Sequence, residues 1–139
     1  MKSLRISYWI VTVAAAAFIL LATVPDVMLT PEAQSIMKHL GYPIYLLPFL
    51  GTAKALAIAA MLVPGLRRLK EWAFAGLMFD LSGALYSHLS VGDGPGGWMP
   101  AVIGFLLVGS SYLLHRRYLT AQDRPDNDAV TLDRHGQAA

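Results

Sequence analysis

No cysteine occurs among the 139 residues. Disulfides, thiolate nucleophiles and Cys-ligated metals are therefore excluded. Charge is scarce as well. Asp, Glu, Lys and Arg make up 14% of the chain, against about 25% in an average soluble domain. No nucleotide-binding glycine motif and no internal repeat is visible, and nothing marks a nucleic-acid partner. No residue set pairs a nucleophile with a base, so autonomous catalysis is not supported.

Apolar sequence takes the place of what is missing. Hydrophobic residues reach 55%, and the mean hydropathy is +0.49. Four apolar stretches approach the ~20 residues that span a bilayer. They run over about 6–24, 44–63, 72–91 and 98–115, with Pro25 ending the first and Pro64-Gly65 the second. The expectation is an all-α polytopic membrane protein, a four-transmembrane-helix bundle over 1–118. Residues 119–139 turn polar and hold almost no large apolar side chain, a composition that predicts disorder.

Lys and Arg placement predicts the orientation. Lys2, Arg5, Arg67, Arg68, Lys70, Arg116 and Arg117 fall on alternate ends of the spans, while the other two links hold only Lys38 beside Asp26, Glu32 and Asp93. Both termini and the turn before span three are thus expected in the cytoplasm. Span one could also be read as a cleavable signal segment after Lys2 and Arg5, but its apolar core is longer than the usual 7–15 residues, which favours a retained span. Tyr8, Trp9, Trp72 and Trp98 lie at span ends, where an aromatic belt accounts for them.

The link between spans one and two predicts a short outer amphipathic helix. Thr30 would cap it, Pro31 would open it and Gly41 would end it. Ala33, Ile36, Met37 and Leu40 share one face, to pack on the bundle or dip into the interface.

Two charges fall inside the spans. Lys54 lies ten residues before Pro64, and Asp80 nine after Glu71. At 1.5 Å per residue each is roughly 14–15 Å from the shared turn, so the two sit at one depth on antiparallel neighbours. A charge at a helix centre costs about 2.5–3.5 kcal/mol to insert and calls for a partner. The two are read as a pair, either fixing helix register or lining a ligand cavity. Ala73, Gly76, Asp80, Gly83 and Ser87 share one side of span three, and small residues of this kind predict a close helix contact. Gly51, Lys54 and Ile58 share a side of span two. His88 belongs about 12 Å outward of Asp80, at a level with Asp26, Tyr42, Tyr45 and Asp93. It can be read as a satisfied interfacial His or as a proton relay. The ligands there are too few for a metal site.

His39-Leu40-Gly41-Tyr42-Pro43, Gly51-x-x-Lys54, Leu69-Lys70-Glu71-Trp72-Ala73, Phe79-Asp80 and Ser87-His88 together resemble the DoxX-like membrane proteins. The resemblance implies a four-helix fold in a bacterial inner membrane. The family takes its name from a subunit of an archaeal thiosulfate:quinone oxidoreductase, and other members are linked to oxidative stress or aromatic-compound metabolism. One functional expectation is a redox-associated subunit that holds a quinone or similar lipophile near Lys54 and Asp80, with Phe49, Phe79 and Tyr86 packing its ring. A second is a small proton-linked transporter using Asp80 and His88. A third is a purely structural subunit. The bilayer is the expected partner; a soluble or membrane redox partner and a homo-oligomer stay open.

Overall fold

A computed structural model describes the backbone of residues 2–136 and the side chains through Asp123. Five helices make up the described chain: α1 (Lys2–Met28), α2 (Pro31–His39), α3 (Leu46–Leu62), α4 (Arg67–Ser90) and α5 (Pro95–Gly136). Among the described residues there is no strand, as the all-α expectation requires. Four helices close a ring in which α1 and α4 each pack against both α3 and α5, while α2 caps the end where α1 stops and α3 begins. Ala15, Ala16 and Ile19 of α1, Met61 of α3, Phe74, Leu77 and Leu81 of α4, and Val108 of α5 form the core.

The long helices follow the apolar stretches but differ at their ends. α1 does not stop at Pro25; it continues to Met28. A proline inside a helix loses one backbone hydrogen bond and crowds the preceding turn, yet can be carried where other contacts hold the helix. Leu29 then turns left-handed (φ 52°), and the Thr30 amide donates back to the Pro25 carbonyl at 3.1 Å. This extra turn adds Asp26 to the bundle. α5 has helical backbone to Gly136, beyond the expected end of span four. The expectation of disorder over 119–139 falls largely on residues 124–139, whose side chains lie outside the described set.

α1 and α5 are long and apolar enough to cross a membrane. α3 is apolar but has 17 residues. α4 is long, but Arg67, Arg68, Lys70, Glu71 and Asp80 dilute its hydropathy.

α2 forms as its signals direct. Thr30 caps it by accepting from the Ala33 amide at 3.3 Å, Pro31 opens it, and Gly41 (φ 80°) follows it. Ala33 and Met37 bury against Leu47 of α3. Ile36, on the same face, stays out of this contact and is exposed.

Candidate functional site

The polar centre forms where α1, α3 and α4 meet. Lys54 Nζ lies 3.4 Å from Asp80 Oδ2, so the expected pair is in contact. A second acid was missed. Lys54 Nζ donates to Asp26 Oδ2 at 2.9 Å, the shorter of the two approaches. All three side chains are largely buried. Sequence alone puts Asp26 at the outer level with His88, because Pro25 signals the end of the helix, whereas α1 runs on to Met28. The extra turn of α1 and the reach of the lysine stem close that gap.

Gly51 makes the approach feasible. A Cβ at this position would lie 2.7 Å from Val27 Cγ2, 3.0 Å from the Val27 amide and 3.1 Å from the Asp26 Cβ. Only glycine lets the α3 backbone lie this close to the last turn of α1. Lys54 stands three residues on, on the same face of α3. Close backbone contact and ion pairing are therefore one arrangement.

A groove of about 630 Å³ runs between α3 and α4. Small side chains at Ala53, Ala57, Ala73 and Gly76 leave the space, and Leu56, Leu69 and Trp72 wall it. Lys54 and Asp80 are the only charged residues in its lining. The small-residue stripe of α4 thus does not mark a tight helix contact throughout. Ala73 and Ser87 are buried, but a Cβ at Gly76 or Gly83 would meet nothing within 4 Å. Phe49, Phe79 and Tyr86 correct a further expectation. None lines the groove. Their helical positions rotate them away from Lys54 and Asp80. Trp72, read from sequence only as a belt residue, is the aromatic side chain of the groove.

His88 belongs to a separate cluster at the end of the bundle capped by α2. Gly92 (φ 78°) ends α4 with a turn in which the Asp93 amide donates to the His88 carbonyl at 3.0 Å. The Asp93 carboxylate is thereby set beside its own helix end. Its Oδ2 is 2.6 Å from His88 Nδ1, and its Oδ1 is 2.6 Å from His39 Nε2. A carboxylate only accepts, so each ring carries a proton on the nitrogen facing it. Hydrogen bonds from His88 and then His39 hold the Asp93 carboxyl below the ordinary carboxylate range. Tyr42 and Ser87 hydroxyls hydrogen-bond nearby at 2.8 Å. No set of three described His, Cys, Asp or Glu side chains has metal-ligand geometry.

The outer surface of the ring is apolar along its length: Ile10, Leu21, Leu56, Leu106 and Leu113 are all exposed. A monomer in water rarely shows so wide an apolar belt. Helical architecture, two bilayer-length apolar helices and this belt define a membrane-associated helical protein. The model of the DoxX-like family matches residues 10–110, from within α1 into the first half of α5, and includes the whole polar centre. The chain belongs to the DoxX-like family. No curated protein and no solved structure matches it.

Proposed function

We propose that this chain is a four-span inner-membrane protein, with both termini cytoplasmic, that binds a quinone or similar small lipophile in the α3–α4 groove. The observation that carries this reading is an apolar trough whose only charged lining residues are Lys54 and Asp80. Sites for small molecules are mostly apolar, with few polar groups that fix orientation. A hydrocarbon body fits against Leu56, Leu69 and Trp72. Its polar head meets Lys54, which has three N–H donors. One goes to Asp26, and Asp80 lies in ion-pair range, which leaves donor capacity for a carbonyl. Asp80 is the group placed to exchange a proton with that head. In this reading the protein is a redox-associated subunit: it presents the lipophile, and a partner supplies the electrons.

The His39–Asp93–His88 cluster supports a second reading, proton-linked permeation, because it puts exchangeable protons at the opposite end of α4 from its basic turn. Mild extraction of the full chain followed by lipid analysis separates the two. Co-purified quinone that is lost in a Lys54→Met variant supports the groove reading. Absence of any bound lipophile, with proton-coupled flux in liposomes, overturns it in favour of the second.

A further inference from the structure

The end of the bundle opposite the His39–Asp93–His88 cluster contains a pocket that none of the preceding chemistry uses. It has a volume of about 290 Å³ and lies between the start of α1, the α3–α4 turn and α5. Arg5, Arg67, Lys70 and His115 line it, together with Tyr8 and Tyr118, and no carboxylate is in the lining. We propose that this pocket binds a phosphate group, carried by an anionic phospholipid of the adjoining leaflet or by a free phosphate.

Lys70 is the first reason. Its side chain is buried, 4% exposed, in the first turn of α4. The ammonium donates to the Tyr8 hydroxyl at 3.1 Å and stands 5.7 and 5.6 Å from the Tyr8 and Trp9 ring centres. These contacts hold a cation in place, but none neutralises it, and no described carboxylate forms an ion pair with it. A buried charge without a counter-charge is costly, and an anion in the pocket removes that cost.

His115 is the second, independent reason. It is 4% exposed, and neither ring nitrogen has a hydrogen-bond partner among the described residues. Its ring packs 5.4 Å from that of Tyr8 and 5.9 Å from that of Phe74. Packing explains the burial but leaves the polar edge unused. In any protonation state the imidazole carries at least one N–H, and that donor needs an acceptor. Buried polar groups without partners are rare in folded proteins.

The rim completes the site. Arg5 is exposed at the mouth. Arg67 is partly offset by Asp123, 3.3 Å away and likewise exposed, and Glu71 follows Lys70 in the first turns of α4. The cations therefore outnumber the acids at this end. Basic pockets between membrane helices on the cytoplasmic side suit anionic lipid head groups. The choice of leaflet rests on the orientation proposed above, whereas binding to the isolated protein does not.

The experiment is a binding titration of the purified full-length chain in neutral detergent, read by intrinsic Trp fluorescence and by thermal shift. Three probes are compared: short-chain phosphatidylglycerol, phosphatidylcholine of the same chain length, and inorganic phosphate. Phosphatidylglycerol should bind and stabilise, and Arg5→Gln should weaken it by about fivefold, the effect of one cation near a lipid surface. Lys70→Gln should weaken it more, and Lys38→Gln, an exposed cation on α2 at the opposite end of the bundle, should leave it unchanged. Arg5→Gln alters an exposed side chain, so its fold is not at risk if Lys70→Gln fails to express. Binding of inorganic phosphate without preference between the two lipids supports the site with a soluble ligand. Equal affinity for both lipids without phosphate binding, or wild-type affinity in Arg5→Gln and Lys70→Gln, overturns the proposal. Neither result bears on quinone co-purification.

Discussion

Lys54 donates to Asp26 at 2.9 Å while lying 3.4 Å from Asp80, so one ammonium links three helices. The cation is the hub and each acid is a spoke. Removing the hub leaves two acids facing one another in an apolar setting, whereas removing one spoke leaves a pair intact. Lys54→Met should therefore be the most harmful single change. Breaking a buried pair costs about 3–5 kcal/mol in soluble proteins, although polar contacts within membranes average only about 0.6 kcal/mol. Asp80→Asn and Asp26→Asn should each cost less. Unfolding in mixed micelles on adding denaturing detergent gives the ranking. If either asparagine variant proves worse than Lys54→Met, the hub description is wrong.

Neutral replacement of the centre requires three changes. Lys54→Met with Asp80→Leu still leaves Asp26 unpaired, so that double variant should remain unstable. Adding Asp26→Leu should restore stability, since well-packed apolar groups can replace buried ions without loss. If the restored triple variant no longer retains quinone, the centre serves a ligand; if it retains quinone as the wild type does, the centre is structural.

Gly51→Ala should loosen the contact between α1 and α3. The added methyl would stand 2.7 Å from Val27 Cγ2 and 3.0 Å from the Val27 amide. The backbone atom cannot move aside cheaply, and overpacking of this kind costs about 1–3 kcal/mol. Combining it with Val27→Ala should recover part of the loss and leave the part due to the amide. Full recovery would show that only the side-chain clash mattered.

Gly76→Leu tests the groove without touching a charge. A Cβ at Gly76 meets nothing within 4 Å, so the fold should tolerate the change to within about 0.5 kcal/mol. The larger side chain projects into the space a lipophile would use. Binding of a quinone analogue should fall by on the order of tenfold, about 1.4 kcal/mol. Unaltered binding with unaltered stability would exclude the groove as the binding place.

Acid should release α2 from the far end of α4. The Asp93 carboxyl is held low by His88 and His39, so the folded protein favours its charged form. That contribution is present above the ordinary carboxylate value of about 4 and disappears as pH falls through the lowered one. Wild type should exceed Asp93→Asn in stability near neutral pH, and the two should converge in acid. A difference that is constant with pH would mean that the contact does not depend on carboxylate charge.

The sequence by itself determined the local features of this protein. Hydropathy located the four long helices, because a stretch of apolar residues near bilayer length signals itself without reference to its neighbours. Thr30, Pro31 and Gly41 bounded α2, because caps are satisfied within a few residues. Equal distances from one turn brought Lys54 and Asp80 together, because antiparallel helices with a short link keep depth in register. Tertiary structure alone decided the rest. Lys54 is the only charge on α3 and turns one side of that helix inward, but the apolar residues around it do not say whether this side meets α1 or α4, and Phe49 could not be assigned to lipid or groove. Asp26 joined the centre only because α1 runs past Pro25 and Gly51 admits it. Likewise, sequence shows Lys70 only as one more basic residue beside the α3–α4 turn, and it is the fold that closes Tyr8 of α1 and His115 of α5 around it. Such contacts depend on how each helix turns about its own axis against its neighbours, and that angle is set by packing summed over the whole bundle.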